Sequence, residues 1–243
     1  MAVTEFERVL ARLPHALRDE VARYWEAYRE AADKAGVTAP TGAALEQMVP
    51  VWACSEFVAR SCIREPAALA ALLADGSLAA SDAPGARAAR LDRLLADATD
   101  ESRLGAALRR FRRREMVRIA WRDLAGLAGL EETLADLTDL AEVLVDAALE
   151  RLHAWQCQRY GQPRDPDSQP QRLVVLGMGK LGGRELNFSS DIDLMFTYPR
   201  QGQTDGARPV SSEEFFRRLG QRLGKILAEP TAEGFVYRVD LRL

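Results

Sequence analysis

Apolar positions recur every three or four residues along most of the first 160 residues, a spacing that predicts helices. The longest stripe begins at Thr133, and its helix should end near Tyr160 because Gly161 follows. The apolar members of this stripe are Leu134, Leu137, Ala141, Leu144, Ala148, Leu152 and Trp155. Helix breaks are expected where Gly, Pro, Ser and Asp cluster, at residues 36–41, 75–77 and 81–85. Pro50 lies within a further helical stretch, where it either begins a helix or kinks one.

The last third of the chain has a different pattern, which predicts strands as well as a helix. Residues 172–176 form a short β-branched run, and residues 191–198 alternate before becoming apolar. Ser211 is a suitable N-cap for a helix that extends to Glu229, since acidic residues occupy the first turn. Residues 235–243 alternate with a period of two, which is typical of a half-buried strand.

Residues 161–170 separate these two patterns and contain three prolines with little apolar surface. We expect a flexible linker there. The predicted organisation is a helical domain at residues 1–160, the linker, and a strand-containing core at residues 171–243. Together these parts make an α+β protein.

The charge balance excludes several functional classes. Lysine and arginine number 33 against 36 aspartates and glutamates, a formal charge of −3, whereas general nucleic-acid binders carry a basic excess. Charged or polar residues interrupt every apolar run before the ~18 residues that a membrane helix needs. A signal peptide needs an apolar core where this chain has the acidic residues Glu5, Glu7, Asp19 and Glu20. We therefore expect a cytoplasmic protein with neither a nucleic-acid nor a membrane partner.

Cysteine and histidine are too sparse for most metal and nucleophile chemistry. Cys54, Cys62 and Cys157 form an odd set without CxxC spacing, so we expect three reduced thiols. His15 and His153 both lie in helical patterns, which argues against a catalytic triad or a multi-histidine metal site.

The segment with the strongest chemical pattern begins with three glycines after a predicted strand. Gly177, Gly179 and Gly182 spell GxGxxG, which alone suggests a dinucleotide site. A Rossmann unit needs a long amphipathic helix and then an acidic residue about 20 positions on, but here an acidic pair arrives much sooner. A P-loop is excluded because Lys180 precedes a leucine where that motif has Ser or Thr. The glycines instead suit a turn whose backbone N–H groups meet a phosphate.

Two carboxylates follow the glycine turn on a predicted strand. Asp191 and Asp193 are two residues apart, so both side chains point to one face, with Ile192 and Leu194 on the opposite, buried face. Carboxylates held this close repel each other unless a cation lies between them, and oxygen ligands beside a phosphate favour Mg²⁺. A solvated strand start is the alternative interpretation.

Asp240, in the alternating C-terminal stretch, is the candidate for a third carboxylate ligand. With the first two it would complete a two-metal cage. The alternative is an exposed strand aspartate that pairs with a neighbouring arginine, Arg238 or Arg242.

Seven arginines lie between residues 109 and 122, and two interpretations of them are equally open. Guanidinium groups bind phosphate or an acidic partner surface well. An amphipathic helix with a solvated basic face, packing Phe111, Ile119 and Trp121 inward, explains the run equally well.

These motifs resemble the nucleotidyltransferase superfamily of the DNA polymerase β type, which has a glycine loop, a D-x-D strand and a later third aspartate. More closely, GMGKLGGRELNFSSDIDLMF, EEFFRRLGQRL, GFVYRVDLRL and the upstream LRRFRRREMVRIAWRDLAGL resemble the bifunctional glutamine synthetase adenylyltransferase/adenylyl-removing family. The resemblance covers residues 108–243. It implies a mixed nucleotidyltransferase sheet that is incomplete at its C-terminus, because in that family more of this domain and a second nucleotidyltransferase domain follow.

The motifs look like the N-terminal copy, which in that family removes AMP from a tyrosine of glutamine synthetase by phosphorolysis, with phosphate entering and ADP leaving. The resemblance implies that Asp191, Asp193 and Asp240 are catalytic and hold Mg²⁺. It also implies a nucleotide- and phosphate-binding set, formed by Gly177, Gly179, Lys180, Gly182, Gly183, Ser189 and Ser190. The implied partners are glutamine synthetase, a nucleotide (ADP or ATP) and phosphate, with a PII-type nitrogen regulator as an additional candidate.

Two alternatives to AMP removal stay open at this stage. The same metal cage also serves forward adenylyl transfer from ATP to glutamine synthetase. A catalytically inactive module that only docks glutamine synthetase or a nitrogen regulator is the other alternative.

Overall fold

The computed structural model describes residues 4–242. Contacts divide this range into two compact units, residues 4–83 with 113–133 and residues 84–112 with 134–242. The fold is α+β, as predicted, with ten helices and five short strands in the described range. The helices are α1 (Glu5–Leu10), α2 (His15–Lys34), α3 (Gly42–Cys54), α4 (Glu56–Arg64), α5 (Pro66–Ala74), α6 (Ala86–Leu95), α7 (Glu101–Leu124), α8 (Leu130–Tyr160), α9 (Gly179–Gly182) and α10 (Ser212–Ala228). The strands are β1 (Pro163–Arg164), β2 (Val174–Met178), β3 (Ile192–Thr197), β4 (Gln203–Thr204) and β5 (Val239–Arg242).

Aromatic side chains organise the core of the first unit. Phe6 of α1 stacks on Trp25 of α2 with ring centroids 4.8 Å apart, and Tyr28 contacts Trp52 of α3 edge to face at 5.5 Å. Tyr28 and Trp52 are almost fully buried. The apolar stripes of α1, α2 and α3 therefore meet at these rings, and large aromatic side chains contribute strongly to the packing of such a core.

The helical predictions agree with the structure in most respects. The three predicted breaks are confirmed, since each falls between two helices. Pro50 lies inside α3, so it does not begin a helix. The long apolar stripe belongs to α8, which begins at Leu130, slightly before Thr133, and ends at Tyr160 as predicted. Ser211 caps α10 through its hydroxyl, also as predicted.

The basic run lies on α7, and its structure agrees only in part with the amphipathic helix predicted from the sequence. Phe111, Ile119 and Trp121 are buried, as an amphipathic helix predicts. Arg118 and Arg122 are buried too, so the prediction of a solvated basic face is wrong for these two arginines.

Arg118 and Arg122 bind the turn after α5 within the first unit. Arg118 donates to the carbonyl oxygens of Ser77 and Ala80, both at 3.0 Å. Arg122 donates to the carbonyl oxygen of Leu78 at 2.9 Å. Buried carbonyl groups need hydrogen-bond donors. Arg118 and Arg122 supply these donors to a turn whose carbonyl groups belong to no helix or strand.

The second unit contains a three-stranded sheet with the order β2-β3-β5. β2 and β3 pair antiparallel, whereas β3 and β5 pair parallel, so the sheet is mixed. Ile192 and Leu194 are buried as predicted, and Phe196, on the same face, meets Gly220 of α10. α10 therefore covers one face of the sheet, and Asp193 lies on the other.

The first two strands of this sheet lie close to their predicted positions. The strand predicted at residues 172–176 lies at Val174–Met178, two residues later. The strand predicted at residues 191–198 lies at Ile192–Thr197, within the predicted bounds. The glycines at 177 and 179 thus come at the end of β2, where they permit a sharp turn into α9.

The last strand is shorter than predicted. The prediction covered residues 235–243, but β5 begins only at Val239. The backbone N–H groups of Val236 and Tyr237 donate to the carbonyl oxygen of Leu227 in α10, at 3.0 and 2.9 Å. This part of the backbone is held by the helix and not by a neighbouring strand. The final residue of the prediction lies outside the described range.

The segment at residues 161–170, predicted to be a flexible linker, is hydrogen-bonded within the second unit. β1 lies inside it and pairs antiparallel with β4. The Asp165 carboxylate accepts hydrogen bonds from the backbone N–H groups of Asp167 and Gln169, both at 2.9 Å. The compact units divide near residue 83 and within α7 and α8. A domain boundary at residues 161–170 stays a prediction.

The remaining general predictions concern thiols and membranes. Cys54, Cys62 and Cys157 are free thiols, as predicted. Burial raises the pKa of Cys62 to about 12, which disfavours the reactive thiolate. Of the helices in residues 4–242, none has both the length and the apolar composition that a bilayer span requires.

Candidate active site

Two of the three predicted carboxylates face each other across neighbouring strands. Asp193 of β3 and Asp240 of β5 are direct partners in the parallel register. Partners in such a pair project to the same face of the sheet, from strands about 4.8 Å apart. Asp193 is partly buried and Asp240 is exposed. Two negative charges this close favour the binding of a cation between them.

The third predicted carboxylate is held by an arginine. Asp191 precedes β3 and Arg238 precedes β5, so the same register sets these two residues opposite each other. Arg238 donates through Nε to the Asp191 carboxylate and through Nη2 to the carbonyl oxygen of Ser189, the latter at 2.9 Å. Arg238, one of the two arginines that the sequence offered as a partner for Asp240, therefore pairs with Asp191.

The carboxylate donors suit a divalent cation, although only two of them are together. Within residues 4–242, no three acidic, histidine or cysteine side chains are grouped closely enough to hold one metal ion. Among the described side chains, neither Asp193 nor Asp240 has an ion-pair partner. Carboxylate oxygens are the ligands that Mg²⁺ prefers. The structure thus brings Asp193 and Asp240 together, whereas Asp191 forms an ion pair with Arg238.

The glycine turn comes close to these carboxylates. β2 ends at Met178, whose partner on β3 is Asp193, and Gly179 then begins α9 with a φ of +54°. A Cβ on Gly179 would lie 2.9 Å from Asp193 Oδ2, so a side chain here would crowd the carboxylate. A Cβ on Gly182 would lie 2.4 Å from the carbonyl oxygen of Gly177. The glycines therefore bring the backbone up to Asp193 and close the turn on itself.

The other predicted phosphate-binding residues lie on α9 or in the turn before β3. Lys180 is exposed on α9, and Gly183 follows as its C-cap. The hydroxyl groups of Ser189 and Ser190 both donate to Asn187 Oδ1, at 3.3 and 2.8 Å. Asn187 thus shapes the serine turn, a role that the sequence analysis missed.

The face that carries the carboxylates also carries apolar side chains. Alternation along β2 and β3 puts Leu176, Met178 and Met195 on the same face as Asp193. Each of the three is more than a third exposed. Contiguous exposed apolar side chains beside a charged site are typical of a surface that contacts a ligand or a partner.

A separate cleft of about 360 Å³ lies on the other side of the glycine turn. It is lined by Gly177, Gly182 and Leu194 together with Glu142 and Asp146 of α8. Burial raises the pKa of Asp146, and the nearby Glu150 carboxylate adds to this effect. Acidic side chains make this cleft a poor site for phosphate, so the carboxylate face is the better candidate.

Arg238 is the main candidate residue that the sequence analysis did not assign to the site. The sequence did contain a pattern that points to Arg238. In RVD, Arg238 and Asp240 are two residues apart and share a face of the strand, as Asp191 and Asp193 do in DID. Which residue opposes which depends on the strand order and register. These are set by long-range pairing that a local pattern does not contain.

Known proteins similar to this chain identify its family. The family model described as glutamate-ammonia ligase adenylyltransferase matches residues 45–243. Relatives named bifunctional glutamine synthetase adenylyltransferase/adenylyl-removing enzyme include that of Thioalkalivibrio sulfidiphilus, 53% identical over 95% of this chain and 24% of the relative. Those of Nitrosococcus oceani (48% identical, 96% of this chain, 24% of the relative) and Pseudomonas aeruginosa (47%, 96% and 25%) are similar. The chain thus spans about a quarter of the length of these relatives. It belongs to the glutamate-ammonia ligase adenylyltransferase family.

Proposed function

We propose that this chain carries a nucleotidyltransferase site that removes AMP from an adenylylated tyrosine of glutamine synthetase by phosphorolysis. The relatives' names give glutamine synthetase as the target and include both adenylyl transfer and adenylyl removal. The observation that carries the proposal is the in-register pair of Asp193 and Asp240 beside the Gly179 turn. Carboxylates for a metal next to an open backbone turn are the parts that phosphoryl transfer needs.

The proposed reaction exchanges one phosphorus–oxygen bond for another. An oxygen of inorganic phosphate bonds to the α-phosphorus of AMP, and the bond from that phosphorus to the tyrosine oxygen breaks. The electron pair remains on the tyrosine oxygen, which takes up a proton, and the nucleotide product is ADP. When bound by Asp191, Asp193 and Asp240, Mg²⁺ would neutralise the charge that develops on the phosphoryl oxygens.

The turn residues bind and orient phosphate groups in this proposal. Gly179 is exposed and has no side chain of its own, so a ligand can approach its backbone beside the Asp193 carboxylate, and Lys180 adds a positive charge next to it. The hydroxyls of the serine turn supply further hydrogen-bonding groups. The proposed nucleotide- and phosphate-binding set is Gly177, Gly179, Lys180, Gly182, Gly183, Ser189 and Ser190.

The partners in this proposal are glutamine synthetase, the adenine nucleotide and phosphate, and the location is the cytoplasm. A PII-type regulator stays a prediction of the family resemblance.

Supplying both sets of substrates tests the direction of the reaction. With phosphate and Mg²⁺, adenylylated glutamine synthetase should lose the mass of AMP from its intact subunit. With ATP and Mg²⁺, the unmodified subunit should keep its mass. A mass gain in the second reaction would show forward adenylyl transfer instead. Binding of glutamine synthetase without a mass change in either reaction would show a docking module.

A further inference from the structure

The parallel register of β3 and β5 places four charged side chains in two rows on one face. Asp193 lies opposite Asp240, and two residues earlier Asp191 is paired with Arg238. Alternation along each strand puts all four side chains on the same face. In the first row both side chains are negatively charged, and no described lysine or arginine pairs with them. The second row holds one charge of each sign. The two rows therefore differ in their readiness to bind a metal ion.

Arg238 is held at the start of β3 by several hydrogen bonds. Its guanidinium contacts both the Asp191 carboxylate and the Ser189 carbonyl oxygen. Its own carbonyl oxygen accepts a hydrogen bond from the Ile192 N–H at 3.0 Å. The side chains of Arg238 and Asp191 are nevertheless 60% and 56% exposed. An ion pair this exposed contributes little stability and exchanges readily for another partner.

We propose that Arg238 holds the Asp191 carboxylate away from a metal ion until a phosphate group binds the Arg238 guanidinium. A guanidinium binds phosphate through the same forked geometry that it uses for a carboxylate, so an incoming phosphate competes with Asp191 for Arg238. Release of Asp191 then completes the set of three carboxylates. This inference rests on the proposed function and adds an order to it. A metal ion binds between Asp193 and Asp240 without phosphate. The second metal ion, which needs Asp191 as a ligand, binds only together with phosphate.

This exchange makes metal binding and phosphate binding cooperative. The factor by which phosphate raises the affinity for the second metal ion equals the factor by which that ion raises the affinity for phosphate. Coupling between two binding sites is typically about 5- to 150-fold. Without Arg238, Asp191 would be available at all times, and the coupling would be lost.

The test is Mn²⁺ binding to the purified chain, measured by electron paramagnetic resonance with and without inorganic phosphate. The parent chain should bind one Mn²⁺ without phosphate, and phosphate should strengthen the binding of a second by about tenfold or more. Arg238→Gln should bind two Mn²⁺ in both conditions. Arg200→Gln removes a similarly exposed arginine, which pairs with Asp167 in the same unit, and should behave as the parent does.

Two results would overturn the inference. One is equal Mn²⁺ binding by the parent and Arg238→Gln, and the other is a parent stoichiometry that phosphate does not change. The second comparison uses the parent alone, so it decides the question even if the variant fails to fold. If the parent binds no Mn²⁺ in either condition, the proposed carboxylate site is itself wrong and the inference falls with it. Measurements on the parent therefore distinguish the two failures.

Discussion

Asp193 and Asp240 place like charges directly opposite each other on adjacent strands. Such a pair destabilises a sheet by about 0.2–1 kcal/mol when nothing neutralises it. Burial of β3 depends instead on Ile192 and Leu194, which lie on the opposite face. A substitution at either aspartate should therefore affect the function much more than the fold.

Asp193→Asn should remove most of the Mg²⁺-dependent activity. The loss of rate should exceed the about 10- to 100-fold effect that changes around metal ligands produce. Without metal, the free energy of unfolding should stay the same or rise by up to about 1 kcal/mol, because one of two like charges is gone. Asp92→Asn, at an exposed position on α6, is the control and should change neither quantity. Near-normal phosphorolysis by Asp193→Asn at low Mg²⁺ would show that the metal assignment is wrong.

Gly182→Val should destabilise the fold and also weaken nucleotide binding. A Cβ at this position would lie 2.4 Å from the Gly177 carbonyl oxygen, and backbone cannot yield as a flexible side chain does. Overpacking of this kind costs about 1–3 kcal/mol, which urea denaturation measures. At Gly183 a Cβ would meet its nearest atom at 3.4 Å, so Gly183→Ala should stay within about 0.5 kcal/mol of the parent. Equal stability of the two variants would mean that the turn is not closed at Gly182.

α7 carries arginines of two kinds, and their effects on stability should differ. Arg118→Ala should lower the free energy of unfolding by about 3 kcal/mol, because the carbonyl groups of Ser77 and Ala80 lose a buried, charged donor. Arg110 is exposed on the same helix, so Arg110→Ala should change stability by less than about 0.5 kcal/mol. Thermal or urea unfolding of both variants checks this difference. A similar small effect for both would contradict the structural role of Arg118.

The elements that could be predicted are those long enough for the period of their apolar residues to repeat several times. The stripe of α8 spans several turns, and the serine cap marks the start of α10 clearly. β1 and β4 have two residues each and α9 has four, so none of them shows a period in the sequence. The predicted β5 was too long because the residues from Phe235 onward alternate as a strand does. In the structure, the N–H groups of Val236 and Tyr237 instead donate to the carbonyl oxygen of Leu227 in α10.

At the scale of the whole molecule, composition and pattern were sufficient for the α+β class, whereas the division of the chain by its contacts is information of another kind. The sequence pattern changes at residues 161–170, yet the contacts divide the chain within α7 and α8. A continuous helix keeps one apolar period along its length even where its packing partners change, so such a division leaves no mark in the pattern.

The candidate site was predictable in part for a similar reason. Spacing on a single strand predicts that Asp191 and Asp193 share a face. The pairing of Asp193 with Asp240 and of Asp191 with Arg238 depends on which strands lie side by side. Which strands are neighbours depends on residues far apart in the sequence, so these pairs could be identified only from the structure of the sheet.

The most direct test of the account asks whether phosphate accepts the AMP group. The purified chain, in molar excess over adenylylated glutamine synthetase, is incubated with radiolabelled inorganic phosphate and Mg²⁺ for a single turnover. The account predicts labelled ADP in an amount equal to the AMP lost from the synthetase, and none with Asp193→Asn. Release of AMP in place of ADP, or no more nucleotide than Asp193→Asn releases, would contradict it.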